Sequence, residues 1–317
     1  MGWRDDERGR KDMRYIKIRG TSLELSNMIM GCMRLNGLSL KEAEYHIAAA
    51  VEEGINVFDH ADIYGGGECE TLFSRAAAGA GILREQMILQ SKCSIREGYY
   101  DFSGEYILGA VDGILTRLNT DYLDILLLHR PDALANPEET AEALEKLKKS
   151  GKVRYFGVSN QNPGQIELLQ KYFGEKLLFN QLQFGLGHTL LVDGGMAVNT
   201  CIPQAQERTG EILEYCRLKD ITIQAWSPFQ KGLFEGTFLG NQQYAALNEE
   251  LSNLSKKYGV TPAAIAVAWI TRHPAEIQVI LGTTKAERLK EECRGADIPL
   301  TRKEWYDLYR AAGNRIL

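Results

Sequence analysis

Short β-rich runs recur eight times along this chain. They fall at residues 28–32 (MIMGC), 56–61 (NVFDHA), 87–93 (MILQSKC), 122–130 (YLDILLLHR), 153–160 (VRYFGVSN), 177–184 (LLFNQLQF), 221–228 (ITIQAWSP) and 277–283 (IQVILGT). Amphipathic helical patterns lie between them, such as LKEAEYHIAAAVEEG after the first run, SGEYILGAVDGILTRLN after the third, PEETAEALEKLKKSG after the fourth and GEILEYCRLKD after the sixth. Strands alternating with helices predict βα units and a parallel sheet. Eight of them predict an α/β fold of the (β/α)8 TIM-barrel type. A doubly wound sheet would carry a glycine-rich phosphate turn after its first strand, and neither G-x-G-x-x-G nor G-x-x-x-x-G-K-[ST] occurs.

Two further elements frame the eight. Residues 13–27 (MRYIKIRGTSLELSN) read as a β-hairpin able to plug the amino-terminal mouth, and residues 301–314 (TRKEWYDLYRAAGN) as an extra carboxy-terminal helix opened by a threonine cap. Helix boundaries carry their own chemistry: Asn136 sits at an N-cap position, Pro137 at the first helical position, and Gly151 beyond a lysine-rich last turn. No linker-like segment divides residues 1–317, so a single barrel domain is expected, with 1–12 as a poorly ordered charged tail. Residues 185–210 lack periodicity and are long for a connection; such loops are functional or mobile, and this one is expected over a cofactor or beside a substrate pocket.

Composition excludes several classes. The 317 residues are 44% hydrophobic and 25% charged, a globular balance, and a formal charge of −5 offers no basic field for nucleic acid. Apolar runs fall far short of the roughly 20 residues a membrane helix needs, and the first twelve residues are too charged for a secretory signal. A cytoplasmic protein is expected. Cys32, Cys69, Cys93, Cys201, Cys216 and Cys293 are scattered without metal-binding spacing, so reduced, mostly buried thiols and no metal site are expected.

In barrels of this kind the chemistry sits at the carboxy-terminal strand ends. There the sequence puts Asp59 and Tyr64, Lys92, His129, Ser159 and Asn160, Gln181, and Trp226 with Ser227. Tyrosine ionises near pH 10 and needs a neighbouring cation to shuttle a proton at neutral pH. Lys92 would supply that cation, and Asp59 would keep a buried Lys92 charged. His129 would hydrogen-bond and orient a carbonyl oxygen and share in proton delivery. His60 and Asp62 read as supporting or exposed groups, His46, His188 and His273 as structural, and Gly65–Gly67 as a flexible turn before the next helix. Met33 and Arg34 suit either substrate contact or an ordinary place on the rim.

The stretches FDHADIYG (58–65), LQSKC (89–93), DYLDILLLHRPD (121–132), SGKVRYFGVSN (150–160), FNQLQ (179–183), ITIQAWSPF (221–229) and ILGTTKAERL (280–289) resemble, in order and spacing, the aldo-keto reductase family. The resemblance covers about residues 13 to 314 and implies NAD(P)H-dependent reduction of an aldehyde or ketone to an alcohol. Carried over by position, Tyr64 would donate the proton, Lys92 and Asp59 would tune it, and His129 would orient the carbonyl. Ser159, Asn160 and Gln181 match the positions that hold the nicotinamide amide. Trp226, where most members have Tyr, matches the position that stacks on the ring, followed by Ser227 and Phe229. Gly282, Thr283, Thr284, Lys285 and Arg288 match the stretch that cradles the adenosine 2'-phosphate, which favours NADPH over NADH. Gly282 stands where many members have Lys, and Glu292 where Asn or Gln often meets adenine. Two other readings stay open: a cofactor-binding redox-sensing module with little turnover, and a lyase using Lys92 as a Schiff-base nucleophile. The expected partner is a small carbonyl compound, with no nucleic acid and no membrane.

Overall fold

The structure is a computed structural model that describes residues 13–316. The charged segment 1–12 lies outside the described residues. Eight strands, β1 (Met28–Gly31), β2 (Val57–Asp59), β3 (Ile88–Cys93), β4 (Leu123–Leu128), β5 (Val153–Ser159), β6 (Leu177–Gln183), β7 (Thr222–Trp226) and β8 (Gln278–Leu281), close into a barrel. Every pairing is parallel and follows chain order, and β8 returns to β1 through Val279 opposite Met28. Each expected run holds one of these strands.

Helices α1 (Leu40–Glu52), α2 (Glu68–Gly79), α3 (Gly104–Leu118), α4 (Pro137–Lys149), α5 (Pro163–Gln170), α6 (Leu190–Met196), α7 (Ile212–Leu218), α8 (Ala245–Tyr258), α9 (Pro262–Thr271), α10 (Ala286–Cys293) and α11 (Arg302–Ala311) complete the fold. Their starts follow local chemistry. Ser39 and Glu42 form a capping box on α1, Thr301 and Glu304 another on α11, and the Asn136 side-chain Oδ1 accepts from the backbone amides of Glu138 and Glu139 ahead of α4. Each such cap contributes about 1 kcal/mol.

Strand alternation sorts side chains into two cores. Val57 and Asp59 face the barrel interior while Phe58 faces the helices; Ile125 and Leu127 point inward while Leu126 and Leu128 point out. The hairpin, Tyr15–Lys17 paired antiparallel with Glu24–Ser26, plugs the amino-terminal end as expected. Its Ile16, Ile18, Leu23 and Leu25 pack with Ile29, Val57, Phe179 and Ile280 inside the barrel.

Outside, α9 is buried on nearly every side, and α11 covers it. The Trp269 and Trp305 rings stack at 4.8 Å and 10°, and each indole N–H donates to the other's carbonyl at 3.0 and 2.9 Å. The 185–210 segment is partly ordered into α6 and a short 3-10 turn at Pro203–Ala205. It is tied to α11: Tyr309 donates to Asp193 Oδ1 at 2.7 Å, and Gln204 Nε2 to the Tyr309 hydroxyl at 3.2 Å.

Candidate active site

The carboxy-terminal strand ends bring Asp59, Lys92, Tyr64 and His129 together. Asp59 ends β2, Lys92 lies near the end of β3, and His129 follows β4. Tyr64 opens a 3-10 turn, Tyr64–Gly67, in which Gly65, Gly66 and Gly67 have φ of 58°, 64° and 94°. A Cβ on Gly65 would lie 2.6 Å from Asn36 Nδ2, and one on Gly67 2.7 Å from Arg117 Cδ. The glycines therefore serve a tight left-handed turn under close approach, which fixes the backbone beside Tyr64, where the sequence suggested flexibility.

Lys92 is fully buried. Its ammonium donates to Asp59 Oδ2 at 2.7 Å, to the His60 carbonyl at 2.8 Å and to the Tyr64 hydroxyl at 3.1 Å. Burial pushes this ammonium down, but Asp59 and Tyr64 more than offset it, so its pKa lies above the ordinary lysine value. A lysine held charged in this way is a poor amine nucleophile, which removes the support for a Schiff-base role.

The Tyr64 phenol is pushed up by burial, pulled down by Lys92 and raised again by Asp59 and Cys32; the net direction is upward. Lys92 thus moderates a shift that burial dominates, and Tyr64 carries its proton at neutral pH. His129 is driven well below the ordinary histidine range by burial, Lys92 and Arg130, so the imidazole is neutral. Its ring stands edge-on to Tyr64 at 6.0 Å.

His60 is wholly buried against Phe73, with its pKa pushed down to about 3, and it supports Lys92 through its carbonyl. Asp62 accepts from the Tyr106 hydroxyl at 2.7 Å.

The residues matched to the nicotinamide end are mutually bonded. Trp226 Nε1 donates to Asn160 Oδ1 at 3.2 Å, Asn160 Nδ2 to Ser159 Oγ at 2.7 Å, and Ser159 Oγ to the Gln181 carbonyl at 2.9 Å. Gln181 Nε2 donates inward, to Asp59 Oδ1 at 3.0 Å and to Gln224 Oε1 at 3.2 Å. Ser227 turns the chain with a φ of 52°, its carbonyl accepting from Gln230 N at 3.0 Å, and the Phe229 carbonyl accepts from Phe238 N at 3.1 Å. Two neighbours of Trp226 escaped the sequence reading. Phe234, on the loop after β7 and 61% exposed, stacks on the indole at 6.2 Å, and the Arg130 guanidinium lies 5.5 Å from it.

At the other end of the mouth, Gly282, Thr283 and Thr284 follow β8, and Arg288 is exposed on α10. His46 Nε2 donates to the Thr283 carbonyl at 2.9 Å, a structural use of that histidine. Arg34 reaches across to donate to the Gly282 carbonyl, so it lies at this end and braces the β8 turn. Glu292 is buried; Oε2 has no hydrogen-bond partner, and desolvation raises its carboxyl to about 7 despite the pull of Arg288 and Arg34.

A dinucleotide fits this donor set: an aromatic face with fixed amide and hydroxyl groups at one end, an exposed guanidinium and an unsatisfied carboxyl at the other. Among the described residues, no group of three or more His, Cys, Asp or Glu is placed to hold a metal, and no helix is long and apolar enough to cross a membrane. Cys201 is exposed and the other five cysteines are buried.

Comparison with known proteins agrees. The aldo/keto reductase family profile matches residues 27–312. An uncharacterised oxidoreductase of Bacillus subtilis, YcsN, is 36% identical over 304 residues, covering 91% of this chain and 95% of its own. A 6-dehydroglucose reductase of Agrobacterium fabrum is 33% identical over 305 residues, covering 92% and 95%. Among solved structures, an aldo-keto reductase from Klebsiella pneumoniae in complex with NADPH superposes with a TM-score of 0.78 over 96% of this chain and 97% of its own, at 23% identity, a likeness of fold. This chain belongs to the aldo/keto reductase family and is an NAD(P)H-dependent oxidoreductase.

Proposed function

We propose that this chain reduces an aldehyde or ketone to the alcohol with NADPH, Tyr64 giving the proton to the carbonyl oxygen. The observation that carries the reading is the buried Lys92 ammonium bonded at once to Asp59 and to Tyr64. The bound nicotinamide would supply the hydride to the carbonyl carbon. The chain's own residues do the rest. Tyr64 is protonated at neutral pH, and Lys92, 3.1 Å from its oxygen, stabilises the phenolate left when that proton departs. Asp59 keeps Lys92 charged.

His129, being neutral, orients the carbonyl oxygen through an N–H and is not an imidazolium acid. This narrows its expected role to orientation. Ser159, Asn160 and Trp226 would hold the nicotinamide amide and one ring face. Gln181, whose Nε2 is committed to Asp59, would act through Oε1. Gly282, Thr283, Thr284 and Arg288 would receive the adenosine 2'-phosphate, Arg288 by a bidentate pair. That two-point recognition supports NADPH over NADH. The 6-dehydroglucose reductases among the relatives support the carbonyl-reducing direction.

The test follows NADPH oxidation at the nicotinamide absorbance with an activated aromatic aldehyde. Tyr64→Phe should lose about 100-fold or more of the turnover, the contribution typical of a general acid, while still binding NADPH. A variant as active as the parent would sink the assignment.

A further inference from the structure

Four glutamines lie in the barrel interior beneath the site: Gln90 on β3, Gln181 on β6, Gln224 on β7 and Gln278 on β8, all buried. Strand register brings them together, since Gln181 is opposite Gln224, Gln224 opposite Gln278, and Asp59 opposite Gln90. Their amides form one connected network. Gln90 Nε2 donates to Asp59 Oδ1 at 2.6 Å and to Gln224 Oε1 at 2.9 Å. Gln224 Nε2 returns a bond to Gln90 Oε1 at 3.0 Å and reaches Gln278 Oε1 at 3.1 Å. Gln278 Nε2 donates to the Ser26 carbonyl of the plugging hairpin at 2.8 Å.

Both ends of this chain are acceptors. An ionised carboxylate and a backbone carbonyl accept and cannot donate, so every amide between them has one possible orientation. Ser26 is itself fixed, its N–H donating to Asn56 Oδ1 at 2.8 Å and its hydroxyl to the Met28 carbonyl at 2.6 Å. Gln224 is the hub, since it touches the other three glutamines. Burying four amides costs desolvation that an apolar layer would avoid, so the network brings specificity of geometry at some expense of stability.

That geometry converges on one atom. Gln90 and Gln181 both donate to Asp59 Oδ1, leaving Oδ2 to Lys92. Rotation of the carboxylate would break two amide bonds as well as the ion pair.

We infer that Gln90, Gln224 and Gln278 are positioning residues: through Asp59 they fix Lys92 beneath the Tyr64 hydroxyl, and they tie the catalytic mouth to the amino-terminal hairpin. The inference rests on the proposed reductase chemistry for its kinetic consequence. Its geometric content stands apart from turnover. The groups facing Tyr64 are Lys92 on β3, Asp59 on β2, Cys32 after β1 and His129 after β4. With the hub removed, the Gln90 and Gln181 amides that hold Asp59 Oδ1 lose their own anchor, Asp59 is fixed less firmly, and Lys92 is held less well against the phenolate. Tyr64 becomes the weaker acid.

The experiment replaces Gln224 with methionine, which keeps the length and removes the amide. Expected for Gln224→Met are NADPH affinity within about threefold of the parent, kcat lower by on the order of tenfold, and an alkaline limb of the kcat profile moved upward by about half a unit or more. Gln278→Met, one bond further from Asp59, should move the limb the same way by less. A folded Gln224→Met with parental kcat and limb overturns the inference. Should that variant not fold, an unmoved limb in Gln278→Met does the same.

Crystal structures of the parent and of Gln224→Met, each with NADPH, separate this inference from the reductase reading. A rotated Asp59 and a broken Lys92 to Tyr64 contact support the relay even if no carbonyl is turned over. Superposable Asp59, Lys92 and Tyr64 overturn it even if the parent is an active reductase.

Discussion

The two ends of the barrel mouth are built on different terms. At the catalytic end the Lys92 ammonium has three acceptors and Asp59 has both oxygens engaged before any ligand arrives. At the end that follows β8, proposed for the adenosine phosphate, Arg288 and Lys285 are exposed and Glu292 Oε2 is buried without a partner. One end has its polar groups bonded to one another; the other presents exposed cations and a buried carboxyl oxygen without a partner. Groups that must meet a transition state gain from being fixed in advance, whereas groups that hold a cofactor tail can acquire their partners on binding.

The sharpest way to break this contrast is Lys92→Met. It strands the Asp59 carboxylate in the barrel interior, and losing one partner of a buried pair costs about 3–5 kcal/mol. For a chain of this size that lowers Tm by on the order of 10 °C. Turnover should fall by about 100-fold or more at the same time, since the phenolate loses its cation. Calorimetry and NADPH oxidation on one preparation check both. A variant that lost activity with an unchanged Tm would show that the pair is not integral to the core.

Arg288→Ala should separate the two ends. Loss of a charge-assisted bond to the 2'-phosphate is expected to weaken NADPH binding by about tenfold or more, with NADH affinity and Tm essentially unchanged. Fluorescence titration with each cofactor reads this directly. Equal weakening of both would place Arg288 elsewhere on the dinucleotide.

Glu292→Gln should give the smallest effect, and one that depends on pH. Its folded pKa of about 7 lies above the ordinary 4.5, so the folded state opposes ionisation. Stability is therefore lost as pH rises from 4.5 through about 7, and the penalty is complete above that. Removing the charge should raise Tm by a few degrees at about pH 8 and leave it unchanged near pH 4. A uniform rise at both pH values would mean that packing, not ionisation, is the cause.

The two ends also differed in how far sequence made them legible. Asp59, Tyr64, Lys92 and His129 are polar residues at the ends of apolar strands, a contrast visible in one dimension. Gln90, Gln224 and Gln278 sit inside the same strands. Periodicity there cannot tell an interior amide from an outward one when both faces are buried. Arg34 could be placed on the rim, but its reach to Gly282 is a contact across 248 positions that only barrel closure between β8 and β1 creates. The seven residues of α6 include Gly194 and Gly195 and carry no helical period; tertiary bonds such as Asp193 to Tyr309 support them. Caps at Asn136 and Thr301 were readable because their chemistry is local.

The indole pair between α9 and α11 gives the chain an optical signature of its own. The two rings stack 4.8 Å apart in nearly parallel planes, so the strong indole transitions of Trp269 and Trp305 couple, and any twist between them about the stacking axis should appear as an exciton couplet in the far-ultraviolet circular dichroism. Trp226, half-buried at the mouth, would respond by quenching when a nicotinamide covers it. Docking of the carboxy-terminal helix and occupancy of the mouth can therefore be watched as separate signals in an unlabelled protein.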